Sequence, residues 1–200
     1  MLYYAPQCWA SDDSDAIERL KIQYGTSLVY PLSSIGAHVS AIPNHQVFRN
    51  TPLHTRANVA YFGTFGYELD LNQLSDFERQ EVMKEVKFMK AYRSVFQFGT
   101  FYRLRSPFET SETIWMVVSK QKDIAIVGYY RPLQQVNAKY NRVKLLGLDT
   151  NKKYHVAIHD IDCYGDELMN VGLLLTDNAS GESKDHVGDY ISRLYILKAN

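Results

Sequence analysis

The sequence predicts an α/β plus all-β fold in two parts, a parallel α/β part over residues 1–98 and an antiparallel β part over residues 99–200. In the first part, strand-like runs are followed by amphipathic helices, which is typical of parallel β/α units. After Gly99 the helical spacing ends, and short apolar runs alternate with turn residues instead. The boundary is therefore predicted near residue 98.

Two helices are predicted in the first part from their capping signals. The first begins at the Ser14–Asp15 pair, whose residue types are favoured at N-caps, and ends at Gly25. The second begins at Ser75, which can form a capping box with Glu78, and ends at Gly99. Apolar residues of the second helix recur at spacings of three and four: Val82, Val86, Met89, Tyr92 and Phe96.

Strand candidates in the first part cover residues 1–4, 37–41 and 58–69. About three strands and two helices are too few to close a barrel of eight β/α units. Parallel strands need both faces covered, so these elements are expected to dock on further chain, to oligomerise or to leave apolar surface exposed. The α/β part is therefore predicted to be an incomplete fold.

The second part is predicted to be an antiparallel β domain. Its strand candidates are residues 100–104, 113–119, 124–130, 143–146, 154–158, 171–176 and 192–197. Small polar residues separate several of these strands, as turns require: 106–107, 147–151 and 176–181. Short strands joined by such turns favour antiparallel neighbours.

The charge balance and the apolar pattern exclude several classes of partner. The 22 Lys and Arg residues equal the 22 Asp and Glu residues in number, so there is no excess positive charge for a nucleic acid or an anionic membrane surface. No apolar stretch approaches the roughly 20 residues that cross a membrane. The N-terminus lacks the basic and apolar regions of a secretory signal, so we expect a cytoplasmic protein.

Neither a metal nor another cofactor is predicted. Cys8 and Cys163 lack a paired spacing and are expected to be free thiols. His155 and His159 could suggest a metal site together with the acidic residues near them, but on an extended strand the two would be about 13 Å apart. The acidic run over residues 160–167 lacks the calcium-loop spacing of an EF-hand and is predicted to be a solvated turn.

The densest chemical signal is the Trp9–Asp15 segment, which carries three aspartates and a tryptophan between a strand candidate and a helix start. Strand ends are where β/α folds place their sites. Neighbouring carboxylates resist ionising together, and one protonated and one ionised acid is the chemistry of glycosidases. The alternative is that the serines and aspartates simply cap the helix. His38 and His45 could approach the same site or serve as hydrogen-bonded structural residues.

Residues 3–20 resemble the acid/base segment of glycoside hydrolase family 36 α-galactosidases, whose signature Ser-Asp-x-x-Asp corresponds to Ser11, Asp12 and Asp15. The resemblance extends over almost the whole chain. It continues through residues 22–31, 36–40, 43–46, 58–63, 66–70, 97–103, 115–119 and 164–170 and the Ser192–Arg193 pair.

The resemblance implies a fold, a set of site residues and a substrate class. The fold is the C-terminal third of a (β/α)8 TIM barrel over residues 1–98, followed by an antiparallel β-sandwich domain over residues 99–200. Asp12 corresponds to the general acid/base, which protonates the departing glycosidic oxygen and then deprotonates water. Asp12, Trp9 and Asp15 are expected to contact the sugar, although Trp9 and Asp15 could instead pack or cap. The expected substrates are terminal α-galactosides such as melibiose and raffinose, and a homo-oligomer is expected.

The family's nucleophile lies in a Lys-Trp-Asp segment, which does not occur among the 200 residues. The residues that hold galactose are likewise expected upstream of residue 1. Retaining hydrolysis needs two carboxylates about 5 to 5.5 Å apart, so the chain with Asp12 alone is expected to be inactive without the missing N-terminal part. The alternative is a non-catalytic β-sandwich or assembly module, inactive unless a partner chain supplies the nucleophile.

Overall fold

The computed structural model describes residues 3–136, 141–175 and 188–200, and it divides into two compact units, Met1–Phe98 and Gly99–Asn200. The first unit combines helices with parallel strands, and the second consists mainly of antiparallel strands. Within the described ranges, no helix is both long enough and apolar enough to cross a membrane.

The first unit alternates strands and helices. Its elements are α1 (Ala16–Thr26), β1 (Gly36–Ser40), α2 (Leu53–Ala60), β2 (Thr64–Glu68) and α3 (Asp76–Phe98). The strands β1 and β2 are parallel, in a register that pairs Gly36 with Thr64. On the other side, Cys8 forms a parallel bridge to Ile35, directly before β1. Three parallel segments therefore lie side by side in the described part of this unit, and a helix follows each.

Both predicted helices of this unit are confirmed. The helix α1 begins after its N-cap Asp15, but it runs through Gly25 to Thr26, so its predicted end is one residue early. The capping box before α3 is complete, because the Ser75 amide donates to Glu78 Oε2 at 2.9 Å and the Glu78 amide donates to Ser75 Oγ at 3.3 Å.

Two strand predictions in the first unit are wrong. Tyr3 and Tyr4 lie in an exposed turn, and the parallel bridge comes later, at Cys8; residues 1 and 2 of that predicted strand lie outside the described residues. The run over residues 58–69 contains β2, but its beginning belongs to α2. Because α2 is buried on most of its sides, it shows no amphipathic pattern that would have predicted a helix.

The second unit is built on antiparallel sheets, as predicted. Its elements are β3 (Thr100–Arg105), β4 (Thr113–Val118), β5 (Ile124–Arg131), β6 (Arg142–Val143), β7 (Lys153–Val156), β8 (Ile161–Tyr164), α4 (Gly165–Asn170), β9 (Leu173–Leu174) and β10 (Ile191–Ala199). Among the described residues, six strands form one sheet in the order β3-β4-β5-β10-β7-β8, and β6 pairs with β9 in a second. All of these pairs are antiparallel.

Among the described residues of the second unit, an apolar core joins the two sheets. Met116 of β4, Val127 of β5 and Tyr195 of β10 belong to it, together with Leu173 of β9 and Leu168 of α4, and all of them are buried. Because side chains alternate along a strand, one face of the large sheet lines this core and the smaller layer covers that face. The burial of these apolar side chains therefore accounts for the packing of the smaller layer on the six-stranded sheet.

The acidic run at 160–167 is not a solvated turn, which corrects the prediction. It contains the edge strand β8 and the start of α4. The strand β8 lies at the edge of the sheet and is largely exposed, so its residues are mostly polar. For this reason the sequence lacks the apolar pattern that would have predicted a strand. The strands β6, β7 and β9 are shorter than predicted, and Thr176 with the turn predicted over 176–181 lies outside the described residues.

Candidate active site

The Trp9–Asp15 segment lies between the first parallel segment, which ends beyond Cys8, and the start of α1 at Ala16. The segment therefore occupies the carboxyl end of a parallel strand, the edge at which β/α folds carry their sites. The loops that follow β1 and β2 leave from the same edge, because the three segments run in the same direction.

Trp9 and Asp12 are joined by a hydrogen bond. The indole Nε1–H of Trp9 donates to Oδ1 of Asp12 at 2.9 Å. Asp12 is exposed, and Trp9 is 44% exposed. The structure thus brings together the predicted acid/base and the predicted aromatic residue, and leaves the carboxyl group accessible.

The indole ring of Trp9 packs against the neighbouring strand β1. Its Cε3 atom lies so close to Gly36 that a Cβ built there would be 2.9 Å away. The His38 ring lies 4.9 Å from the Trp9 ring, centroid to centroid, at an angle of 37°. On the far side of His38, a Cβ at Gly66 of β2 would be 2.6 Å from the imidazole Cδ2. Gly36 and Gly66 therefore provide the space that these two rings occupy.

Arg19 of α1 contacts the Trp9 ring and the neighbouring backbone from the helix side. Its guanidinium carbon lies 5.9 Å from the centroid of the Trp9 ring, within cation–π range. The same group donates to the backbone oxygens of Ser11, at 3.4 Å, and Gly36. Burial lowers the pKa of Arg19, against the charge of Asp13, which raises it. Arg19 thereby links the turn that carries Asp12 to the strand beneath Trp9.

Asp15 is the N-cap of α1, so the capping alternative is confirmed for this residue. Its Oδ2 accepts hydrogen bonds from the amides of Ile17 at 3.0 Å and Glu18 at 3.1 Å. The same oxygen forms an ion pair with Arg49, and Asp15 is 2% exposed. Burial opposes the charge of Arg49, but the carboxylates of Asp15 and Glu18 raise its pKa. The predicted contact of Asp15 with a sugar stays a prediction.

The loop that follows β1 is tied to the same turn. Asn44 Nδ2 donates to Ser14 Oγ at 3.5 Å, and Ser40 Oγ donates to the Ser14 backbone oxygen at 3.0 Å. Within the loop, Asn44 Oδ1 accepts from the amide of Gln46 at 2.9 Å. Phe48 lies in the same loop; its side chain is 77% exposed and its φ is positive, at 53°. Composition does not identify Asn44 or Arg49 as residues of the site. Asn44 lies in the segment 43–46 that resembles the family, and this position is the only sequence signal that could have identified it.

The two histidines considered from the sequence have different surroundings. His38 lies beside Trp9, and its Nδ1 is buried with no hydrogen-bond partner among the residues that the structure describes. Burial lowers the pKa of His38, although the charge of Glu68 raises it. His45 is exposed in the loop after β1. Of these two histidines, His38 is therefore the one that lies against the Trp9 ring.

A second ionisable cluster, which the sequence did not reveal, lies between β2 and the helices of the first unit. Glu85 of α3 is 8% exposed, and its Oε2 accepts from Tyr67 Oη at 2.7 Å. Burial raises the pKa of Glu85 to about 7, against the Tyr67 hydrogen bond and the Arg56 charge, which lower it. Arg56 is itself buried and donates to the backbone oxygens of Thr51, at 2.9 Å, and Ser40.

The residues considered for a metal site have other partners. His155 Nδ1 lies 3.0 Å from Oδ1 of Asp162 on the paired strand β8, and His159 Nε2 lies 2.9 Å from the Leu174 backbone oxygen. In the described ranges, no three His, Cys, Asp or Glu residues are grouped so that they could hold a metal ion. Cys8 and Cys163 are free thiols.

Comparison with known proteins connects this geometry to one family. The Melibiase family model matches residues 1–99, and the model of the Glycosyl hydrolase family 36 C-terminal domain matches residues 112–197. Over 200 residues the chain is 51% identical to alpha-galactosidase AgaA of Geobacillus stearothermophilus, covering 100% of this chain and 26% of that protein.

Two solved structures from the same organism match over the whole chain. The GH36 alpha-galactosidase AgaB has a TM-score of 0.92 at 50% identity, with 26% of its chain covered. A substituted AgaA in complex with raffinose has a TM-score of 0.92 at 48% identity, with 27% of its chain covered. The present chain therefore spans about a quarter of the length of these relatives.

Proposed function

The chain belongs to glycoside hydrolase family 36, and from this premise we propose that it is the C-terminal part of a retaining α-galactosidase, to which it contributes the general acid/base Asp12. The observation that carries the proposal is the exposed carboxyl group of Asp12 at the end of a parallel strand, held there by the Trp9 indole at 2.9 Å. An acid that exchanges protons with a substrate must be both accessible and oriented. Asp12 meets both conditions.

The proposed fold of the whole protein is a (β/α)8 TIM barrel followed by a β-sandwich. The segment at Cys8, β1 and β2 would be its last three barrel strands, with α1, α2 and α3 as the helices that follow them. Their parallel order and the helix after each strand support this assignment. The two antiparallel sheets of the second unit, with a shared core, support the sandwich.

In the proposed reaction, a nucleophilic carboxylate from the upstream part attacks the anomeric carbon while the bond to the leaving oxygen breaks. Asp12 transfers its proton to that oxygen, and a glycosyl ester forms. Water then attacks the ester, gives its proton to Asp12 and releases galactose with both carboxyl groups restored. Asp12 acts twice, first as an acid and then as a base, so one well-held carboxyl group serves both steps.

The proposed substrates of the whole protein are oligosaccharides with terminal α-galactosyl residues, such as raffinose and melibiose. The raffinose complex of a substituted AgaA supports this class. We propose that the exposed part of Trp9 borders the sugar, next to Asp12. A homo-oligomer and a cytoplasmic location stay predictions. The relatives carry the names of enzymes, which disfavours the non-catalytic module considered from the sequence.

The test is to replace the matching quarter of AgaA by this chain; we call the product the assembled enzyme. We expect the assembled enzyme to release galactose from raffinose, and the upstream part of AgaA alone to release none. This chain alone should also be inactive, because it lacks the nucleophile. A well-folded assembled enzyme with no activity on any α-galactoside would argue for the non-catalytic module.

A further inference from the structure

We propose that Trp9 is a positioning residue for Asp12, whose indole N–H holds Oδ1 and thereby leaves Oδ2 to carry the transferred proton. The inference rests on the proposed function, since it assigns a role in that reaction. It differs from a sugar contact, because Trp9 acts here through the carboxyl group of Asp12 and need not touch the substrate.

The first argument is that Asp12 depends on this bond for its orientation. Within the described ranges, Asp12 accepts no hydrogen bond other than the one from Trp9 Nε1. An exposed aspartate without a partner samples several rotamers, and each misplaced rotamer removes the acid from the leaving oxygen. One N–H···O contact at 2.9 Å restricts that freedom and marks Oδ1 as the oxygen that accepts.

The second argument is that the donor ring is packed on two sides. The Trp9 ring is held between β1 and α1, against Gly36 and His38 on the strand side and near Arg19 on the helix side. Arg19 also donates to the backbone of Ser11, one residue before Asp12, and to the backbone of Gly36. The donor and the turn that carries the acceptor are therefore fixed by the same guanidinium group.

The third argument concerns charge during the reaction. As Asp12 releases its proton to the leaving oxygen, negative charge develops on its carboxyl group. A hydrogen bond to a charged acceptor is stronger than one to a neutral acceptor, so the Trp9 N–H stabilises the transition state more than the protonated ground state. The benefit is largest when the leaving group needs a proton, as a sugar does, and small when it leaves readily as an anion, as nitrophenolate does.

The kinetic test uses Trp9→Phe in the assembled enzyme, which keeps an aromatic ring and removes the N–H. We expect kcat/KM for raffinose to fall roughly ten- to a hundredfold, the usual effect of losing a hydrogen bond to a charged group. The value for 4-nitrophenyl α-galactoside should fall less than threefold. Equal losses on both substrates would show that Trp9 acts only through contact with the sugar or through the fold, and not through the proton transfer by Asp12. An unchanged kcat/KM for raffinose would also contradict the positioning role.

A spectroscopic test needs no activity. The chain has two tryptophans, so 15N-labelled protein gives two indole N–H resonances, and Trp115→Phe identifies that of Trp9. We expect Asp12→Asn to shift the Trp9 resonance and Asp160→Asn, a change at an exposed side chain, to leave it in place. An unmoved Trp9 resonance in Asp12→Asn would overturn the positioning role.

The two hypotheses fail in different ways. If Asp12→Asn leaves the hydrolysis of raffinose intact in the assembled enzyme, the proposed function is wrong. If Asp12→Asn abolishes hydrolysis while Trp9→Phe does not alter it, the acid/base assignment stands and the positioning role is wrong.

Discussion

Arg49 and Asp15 form an ion pair between the loop after β1 and the N-cap of α1, across 34 residues of sequence. Arg49 also reaches Glu18 Oε1 at 3.4 Å, so it contacts two carboxylates of the first turn of the helix. Asp15 Oδ2 caps two amides as well. These contacts therefore couple the loop after β1 to the start of α1, directly after the turn that carries Asp12.

We predict that Arg49→Gln lowers the free energy of unfolding by about 1 to 3 kcal/mol, because it removes a charged partner from a buried carboxylate that keeps its amide donors. Urea unfolding followed by circular dichroism would measure the change. Arg79→Gln is the matched control, since its ion pair with Asp76 is exposed and should contribute less than about 1 kcal/mol. Similar losses of unfolding free energy in the two variants would show that the Arg49–Asp15 pair contributes no more than an exposed ion pair.

Asp12→Asn should lower kcat/KM for raffinose in the assembled enzyme by about 100- to 10,000-fold, the range that general acid–base catalysis contributes. The fold should be unaffected, because the amide oxygen of asparagine can still accept from Trp9 Nε1. Galactose release gives the rate, and the thermal midpoint checks the fold. Asp160→Asn, the same chemical change on the surface, should retain full activity.

Gly36→Ala should disturb the site without adding or removing a charge, because its Cβ would be 2.9 Å from Trp9 Cε3 and the ring must move. We expect a shifted Trp9 fluorescence and at least a several-fold lower kcat for raffinose. Gly25→Ala is the contrasting control, since nothing lies within 4 Å of its added Cβ. It should stabilise α1 by about 0.5 to 1 kcal/mol. A Gly36→Ala variant with unchanged fluorescence and rate would contradict the close packing of Trp9.

Glu85 should make the first unit less stable as the pH rises towards neutrality. Burial raises its pKa from the ordinary value of 4.5 to about 7, so between these values the folded chain retains a proton that the unfolded chain releases. The contribution is complete below about pH 4.5 and is lost as the pH passes 7. The shift corresponds to roughly 3 kcal/mol in the free energy of unfolding.

Glu85→Gln tests this pH dependence, because glutamine can keep the contact with Tyr67 and cannot ionise. We expect the variant to be more stable than the parent chain near pH 8 and to lose the decline between pH 5 and 8. Urea unfolding at several pH values gives the comparison, and Glu109→Gln, an exposed position of the second unit, should retain the parent slope. A parallel slope in Glu85→Gln would assign the effect to other groups.

Local signals in the sequence determined the elements whose hydrogen bonds are close in sequence. The Ser75–Glu78 capping box and the Asp15 cap involve residues two or three positions apart, so their residue types suffice to predict them. Trp9 and Asp12 are also three residues apart, which is why one segment contained both partners. Short continuous apolar runs likewise predicted β4 and β5, where strand propensity and burial agree.

Only the tertiary structure decided which distant residues meet. The helix α2 was missed because it is buried on most sides, and β8 because an edge strand keeps polar residues. The contacts of Trp9 with Gly36 and His38 depend on the register of the parallel segments, which residue types alone do not specify. The same holds for Arg49 and Asp15, which are 34 residues apart and meet only after packing has brought the loop to the helix start. Ordering the chain between them costs conformational entropy, and only the contacts of the whole fold offset that cost.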